Sequence, residues 1–224
     1  MALRSEEARV LGSLIEKEQA VPDSYPLTAN ALRLACNQSA NRHPVVSYDD
    51  RTVENALVSL KSMGLVRFVH PGQGSRTTRY RHTADDRWKL SRPELGVLAV
   101  LVLRGPQTPA EVKARAGRYL DDDDGSVEDI LDTLAARGPE PLAVRLDRRP
   151  GEREARYAHF LLGEVEDVPP GPKDGANRSD AGSERGEGAL AAEVATLRTR
   201  VDRLERLLGV VDDPSPEPST DSSP

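Results

Sequence analysis

The chain writes one pattern twice. Residues 53–64 read Val-Glu-Asn-Ala-Leu-Val-Ser-Leu-Lys-Ser-Met-Gly, and residues 127–138 read Val-Glu-Asp-Ile-Leu-Asp-Thr-Leu-Ala-Ala-Arg-Gly. Both fit Val-Glu-x-x-Leu-x-x-Leu-x-x-x-Gly. The valine and the two leucines recur at spacings of four and three, which is one face of a helix. The closing glycine is the residue type that accepts a left-handed stop. Each copy leads into a β-rich stretch with a Pro-Gly turn and then Arg-Tyr: Pro71-Gly72 to Arg79-Tyr80, and Pro150-Gly151 to Arg156-Tyr157. A helix followed by a hairpin, twice in 224 residues, points to two copies of one small unit.

The flanking sequence extends each copy. In the first, Ser5 is placed to cap a helix with Glu6 and Glu7 in its first turn, and Val10, Leu11, Leu14 and Ile15 form its apolar stripe. A second helix runs from Thr28 to Cys36. Ser47, three residues before Asp50, reads as the cap of a third helix that buries Val53, Leu57, Leu60 and Met63. Leu65–Val69 and Thr77–His82 then make a hairpin. In the second copy, Ser91 with Glu94 and Thr108 with Glu111 are capping boxes, and Pro109 takes the first helical position. Ser126 opens the third helix, and Leu142–Leu146 with Ala155–Phe160 form the hairpin. Val97 to Leu103 is apolar on every side, so that helix is expected to be buried on two sides, between domains or between subunits.

Three helices and a hairpin is the winged-helix order, a helix-turn-helix variant. The expected fold is mainly α with small β-hairpin wings (α+β): winged-helix domains at residues 1–88 and 89–167. Residues 168–188 and 211–224, rich in Pro, Gly, Ser and charge, read as a disordered linker and a disordered tail. Between them, residues 189–210 hold Leu190, Val194, Leu197, Val201, Leu204 and Leu208 at spacings of 4, 3, 4, 3 and 4. Leu at d with mostly Val at a is the seam of a parallel coiled-coil homodimer.

Charge restricts the partners. The net −6 is unevenly spread: residues 1–90 carry 13 basic and 10 acidic side chains, +3, whereas residues 91–168 carry 11 and 16, −5. Attraction for nucleic acid must therefore be local to the first domain. No apolar run approaches the roughly 20 residues of a membrane span, and one cysteine, Cys36, excludes an internal disulfide. The expected location is cytoplasmic, with no membrane partner.

The first wing is the strongest site for double-stranded DNA. Arg67, Arg76, Arg79 and Arg81 lie in a run, residues 67–84, that contains no acid. Alternation sends Arg79 and Arg81 to one face, where they can reach phosphates or a narrow minor groove. A charged, solvated sheet edge is the competing reading. On the third helix the expected outward residues are Arg51, Thr52, Asn55, Ser59, Lys61 and Ser62. Arg51 and Asn55 suit base edges, while Asp49, Asp50 and Glu54 oppose phosphate. The DNA site expected is Arg51, Asn55, Lys61, Arg67, Arg76, Arg79 and Arg81. In the second copy, Glu128, Asp129 and Asp132 repel DNA. The wing arginines Arg145, Arg148, Arg149, Arg153 and Arg156 interleave with Asp147, Glu152 and Glu154, which favours cross-strand ion pairing and contacts to other proteins.

Other patterns carry no chemistry. Cys36 shares a helix face with Leu32 and reads as a core residue. Asn37 is expected to cap the second helix in a left-handed conformation, within a polar loop, residues 37–44, bonded to backbone groups. Asp121–Asp124 with Gly125 fails as a calcium loop because Leu120 and Leu131 occupy its first and twelfth positions. Gly72-Gln-Gly74 tops a hairpin and does not open a helix, and His43, His70, His82 and His159 lack metal-ligand spacing. No catalytic residue, metal or cofactor is expected.

Ala35-Cys-Asn-Gln-Ser-Ala-Asn-Arg-His-Pro-Val45, with Glu16-Lys17, Tyr25-Pro26-Leu27, Leu103-Arg-Gly-Pro-Gln-Thr-Pro109 and Gly163-Glu-Val-Glu-Asp167, resembles the YceH-like family of uncharacterised bacterial proteins. The resemblance covers about residues 3–168 and implies a tandem winged-helix fold with no assigned activity. The acidic Asp121–Asp124 run and the long Pro/Ser-rich end depart from the family's pattern. The expected function is a non-enzymatic DNA-binding regulator of transcription or of the nucleoid, dimerised through the coiled coil. The alternative is a protein-interaction adaptor, similar in architecture to chromosome-condensation accessory proteins.

Overall fold

A computed structural model describes residues 2–70, 77–120, 124–148, 152–163 and 165, all within one compact unit. Among them are seven α-helices and five short strands, a mixed α and β architecture. In order these are α1 (Ser5–Ala20), β1 (Leu27–Thr28), α2 (Ala29–Cys36), α3 (Asp50–Ser62), β2 (Val66–Val69), β3 (Arg79–His82) and α4 (Ala84–Trp88). Then follow α5 (Arg92–Arg104), α6 (Pro109–Ala116), α7 (Val127–Ala136), β4 (Ala143–Arg145) and β5 (Tyr157–His159).

The second half starts its helices as its sequence dictates. Ser91, Thr108 and Ser126 each accept the backbone N–H three residues on, and Glu94, Glu111 and Asp129 reach back to complete the box. The first half differs. Ser5 lies inside α1, whose N-cap is Arg4, and the Glu7 carboxylate accepts the Arg4 backbone N–H at 2.8 Å. Asp49, not Ser47, caps α3, accepting from the Thr52 N–H at 2.8 Å. The repeat's glycines also part company. Gly64 is left-handed at φ 71°, whereas Gly138 is not, because α7 already ends in an extended Arg137. Asn37, at φ −91°, is not left-handed either; Asn41, at φ 59°, is.

The two halves have a similar element order, but the first hairpin belongs to a three-stranded sheet and the second to a two-stranded one. β2 and β3 pair antiparallel, and β1, just before α2, adds to β3 with Leu27 opposite Tyr80. β4 and β5 pair likewise, and Gln107, just before α6, bridges to Tyr157, the repeat mate of Tyr80. In both third helices the shared motif faces inward: Val53, Leu57 and Leu60, and Val127, Leu131 and Leu134, are all buried.

One hydrophobic core runs through both copies. Leu95 to Leu103 of α5 are buried without interruption, with α1 against one side and α6, α7 and β5 against others. Gly12 makes the α1–α5 contact possible: a Cβ there would lie 2.8 Å from Val102 Cγ1 and 3.2 Å from Leu103 Cδ2. Either distance is closer than ordinary packing allows. Among the described residues no helix is long and apolar enough to cross a membrane.

Candidate nucleic-acid interface

Strand register fixes where the wing arginines point. Arg67 is directly opposite Arg81, and Val69 opposite Arg79, so all three arginines occupy one face of the sheet. Phe68, Tyr80 and His82 take the other face, toward the core. There Phe68 and Tyr80 meet edge to face at 4.8 Å, and the Lys61 ammonium sits 4.4 Å above the Phe68 ring. Like charges directly across an antiparallel pair destabilise it unless an anion lies between them. No carboxylate among the described residues pairs with Arg67, Arg79 or Arg81. Arg79 donates to the Pro26 carbonyl, at 2.8 Å.

The α3 face is a second surface. Arg51, Glu54, Asn55, Lys61 and Ser62 are exposed. Ser59, expected outside, is half-buried and hydrogen-bonds inward with Glu7. Val58 takes the outward place instead, 62% exposed in the middle of the face. Sequence reasoning passed over it because an apolar residue in an apolar repeat is assigned inward; its offset from Val53, Leu57 and Leu60 is the signal. The expected site therefore divides. Arg51, Asn55 and Lys61 lie on α3, with Lys61 already engaged by Phe68. Arg67, Arg79 and Arg81 lie on the sheet face opposite the one that carries Phe68. Arg76 falls outside the described residues, as do Leu190, Val194, Leu197, Val201, Leu204 and Leu208.

The family-like loop is a clamp that holds α2 and α3 against α1 and α5. Asn37 bonds both backbone groups of Tyr48, donating to its carbonyl and accepting from its N–H at 2.8 Å each. The Arg42 guanidinium, fully buried, donates to the Ala35 carbonyl and to Glu16 Oε2 at 2.6 Å. Burial opposes the charge on Glu16, yet Arg42 holds its carboxyl below the usual range. His43 N–H donates to the Leu103 carbonyl at 2.8 Å, and Arg104 donates to Asn41. Cys36 is buried, and burial pushes its thiol up, away from the reactive thiolate.

In the second half, Glu128, Asp129, Asp132 and Thr133 are exposed on α7. The Tyr157 hydroxyl donates to Asp132 at 2.6 Å, and burial together with that acid pushes the phenol up to about 12. Of the second wing's arginines, Arg156 pairs with Glu152 at 3.1 Å and with Glu111 at 3.9 Å, while Arg145 lies 5.9 Å over the Tyr157 ring. Among the described residues no three His, Cys, Asp or Glu side chains gather as a metal site.

Comparison with known proteins matches this chain to one group. The family model described as "Protein of unknown function, DUF480" matches residues 3–152. A UPF0502 protein of Chromobacterium violaceum is 43% identical over 207 residues, covering 92% of each chain. Another, of Geobacter sulfurreducens, is 43% identical over 199 residues, covering 87% of this chain and 90% of the relative. One from Aliivibrio salmonicida is 41% identical over 210 residues, covering 90% and 95%. With its repeated core and its clamp loop inside the matched span, the chain belongs to the DUF480/UPF0502 family of bacterial proteins.

Proposed function

We propose that this protein is a non-enzymatic, cytoplasmic DNA-binding regulator made of two winged-helix units. Its first half contacts double-stranded DNA, and residues 189–210 hold two copies together. The observation that carries this reading is the Arg67–Arg81 cross-strand pair with Arg79 on the same face and, among the described residues, no carboxylate partner. An arrangement that is unfavourable in the free protein becomes favourable once a phosphate lies across it. The α3 face adds Arg51 and Asn55, which suit guanine and adenine edges, and Val58, which suits a thymine methyl.

The test is an electrophoretic shift of the full-length protein on random genomic fragments at two salt concentrations. Replacing Arg67, Arg79 and Arg81 by alanine is expected to weaken binding on every sequence. The slope of log affinity against log salt should fall by up to about 0.9 for each phosphate that the variant no longer neutralises. Equal affinity and slope in the triple variant would refute the reading.

A second reading, an adaptor that binds proteins without DNA, is favoured by the acidic α7 face. Leu34, 56% exposed, and Val45, 60% exposed, on the first half also favour it. No shift at low salt by the unmodified protein would move that reading ahead.

A further inference from the structure

A cavity of about 170 Å³ lies at the seam between the two halves. Ser5, Arg9, His43 and Tyr48 line it from the first half, and Val102 and His159 from the second. We propose that this cavity binds a small organic monocarboxylate, its anionic end on Arg9 and His159 and its apolar body against the valine and leucine side chains of the lining.

Arg9 gives the charge of the ligand. It lies in the apolar stretch of α1 and is only 4% exposed. Its guanidinium donates to two carbonyls, Cys36 at 3.2 Å and Pro44 at 2.6 Å, and to no carboxylate among the described residues. Burial, with the neighbouring Arg42 charge, pushes it down from its ordinary value. Arg42, one layer away, has Glu16 as its counter-ion; Arg9 has none among the described residues. Buried arginines are rarely left in that condition, because an uncompensated buried charge is costly.

His159 gives the second contact, and the repeat supplies its control. His82 and His159 are mates, each closing its hairpin two residues after the Arg-Tyr tyrosine. His82 is satisfied on both nitrogens: Nδ1 accepts from the Ala84 N–H at 3.3 Å, and Nε2 donates to Glu18 at 2.5 Å. Nδ1 of His159 is buried and has no hydrogen-bond partner among the described residues. Burial pushes His159 down to about 4, so at neutral pH it is an uncharged imidazole able to place its proton on Nδ1 and donate it. In the first half the Ala84 N–H occupies Nδ1 of the histidine; in the second the same nitrogen has no partner among the described residues and is left to a ligand.

The rest of the lining gives the ligand's size and body. Val46, Val102, Leu162 and Val165 face the cavity. Its volume lies below the roughly 300 Å³ at which drug-sized pockets begin, which fits a metabolite of a few carbons or one ring. Tyr48, held by Asn37 and kept protonated by burial, adds a neutral polar group.

The test is calorimetric titration of the full-length protein with isovalerate, 2-oxoisovalerate and benzoate, with isovaleramide and benzamide as uncharged controls, and with inorganic phosphate. Imidazole nitrogen NMR follows the same titrations. Acids are expected to bind at least about tenfold more tightly than their amides and to shift the His159 Nδ1 resonance but not that of His82. Arg9→Met should lose about tenfold or more in affinity. Because it also releases the Cys36 and Pro44 carbonyls, His159→Phe, which keeps ring and burial, is the second variant and should lose a similar factor. The proposal is overturned if amides bind as well as acids, or if no acid binds at about 10 mM, tenfold above a millimolar Kd. It is equally overturned if His159→Phe binds like the unmodified protein, or if phosphate binds and the carboxylates do not.

Discussion

On α3, the residues left outside by Val53, Leu57 and Leu60 include Asn55, Val58 and Lys61; on α7, their repeat mates are Asp129, Asp132 and Ala135. The inward residues match in type and burial, while the outward ones differ in charge. The contrast extends to the hairpins. Tyr157 donates to Asp132, whereas its mate Tyr80 faces Val58 in the repeat scheme and instead packs edge-on against Phe68. A packed interior restricts which side chains fit, so the duplicated motif persists there. The solvent side has no such restriction, and it is where one copy has become basic and the other acidic.

If both copies share one core, damage to either should be felt by the whole. Leu57→Ala and Leu131→Ala are each expected to cost about 2–5 kcal/mol, shifting one common urea transition. Two transitions, each moved by only one of the variants, would break the comparison at its base.

A smaller effect separates the paired histidines. The folded-state value of His159, about 4, lies below the ordinary 6.5, so the unfolded chain takes up this proton first. The stability involved is complete above about pH 6.5 and is lost as pH falls towards about 4, to the extent of about 3 kcal/mol. Urea melts at several pH values should show that loss in the unmodified protein and its absence in His159→Phe. An unchanged slope in the variant would remove His159 from the account.

Smaller still is the effect of moving one charge. Val58→Asp gives α3 the α7 residue at an exposed position, so folding should be little changed. DNA affinity should fall by roughly tenfold at low salt through repulsion of phosphate. An electrophoretic shift that does not move would argue against α3 as a DNA-facing surface.

Much of this was legible in the residues. The inward Val-Leu-Leu triplets, the Ser91 and Thr108 boxes, the helix start at Ser126 and the alternation of Arg79 with Tyr80 are local patterns, and local patterns survive folding. Other features had no local sign. Arg4 caps α1 through its backbone, which no side-chain rule flags. β1 has two residues and α4 five, too few for any period, and α4 buries only Ala84 and Trp88. Arg9 sits in an apolar run, yet only the distant carbonyls of Cys36 and Pro44 reveal why a guanidinium is tolerated there. Val58 was hidden by its own hydrophobicity.

The burial of α5 against α1 also sets an order of events during synthesis. About 80 residues separate the end of α1 from the end of α5. At roughly 5–20 residues per second, the side of α1 that packs on α5 emerges from the ribosome several seconds before α5 is complete. Over that interval the nascent chain leaves Gly12 and the side of α1 that receives Val102 and Leu103 open to whatever folding assistants are near. The first half reaches its final packing only after the start of the second has been made.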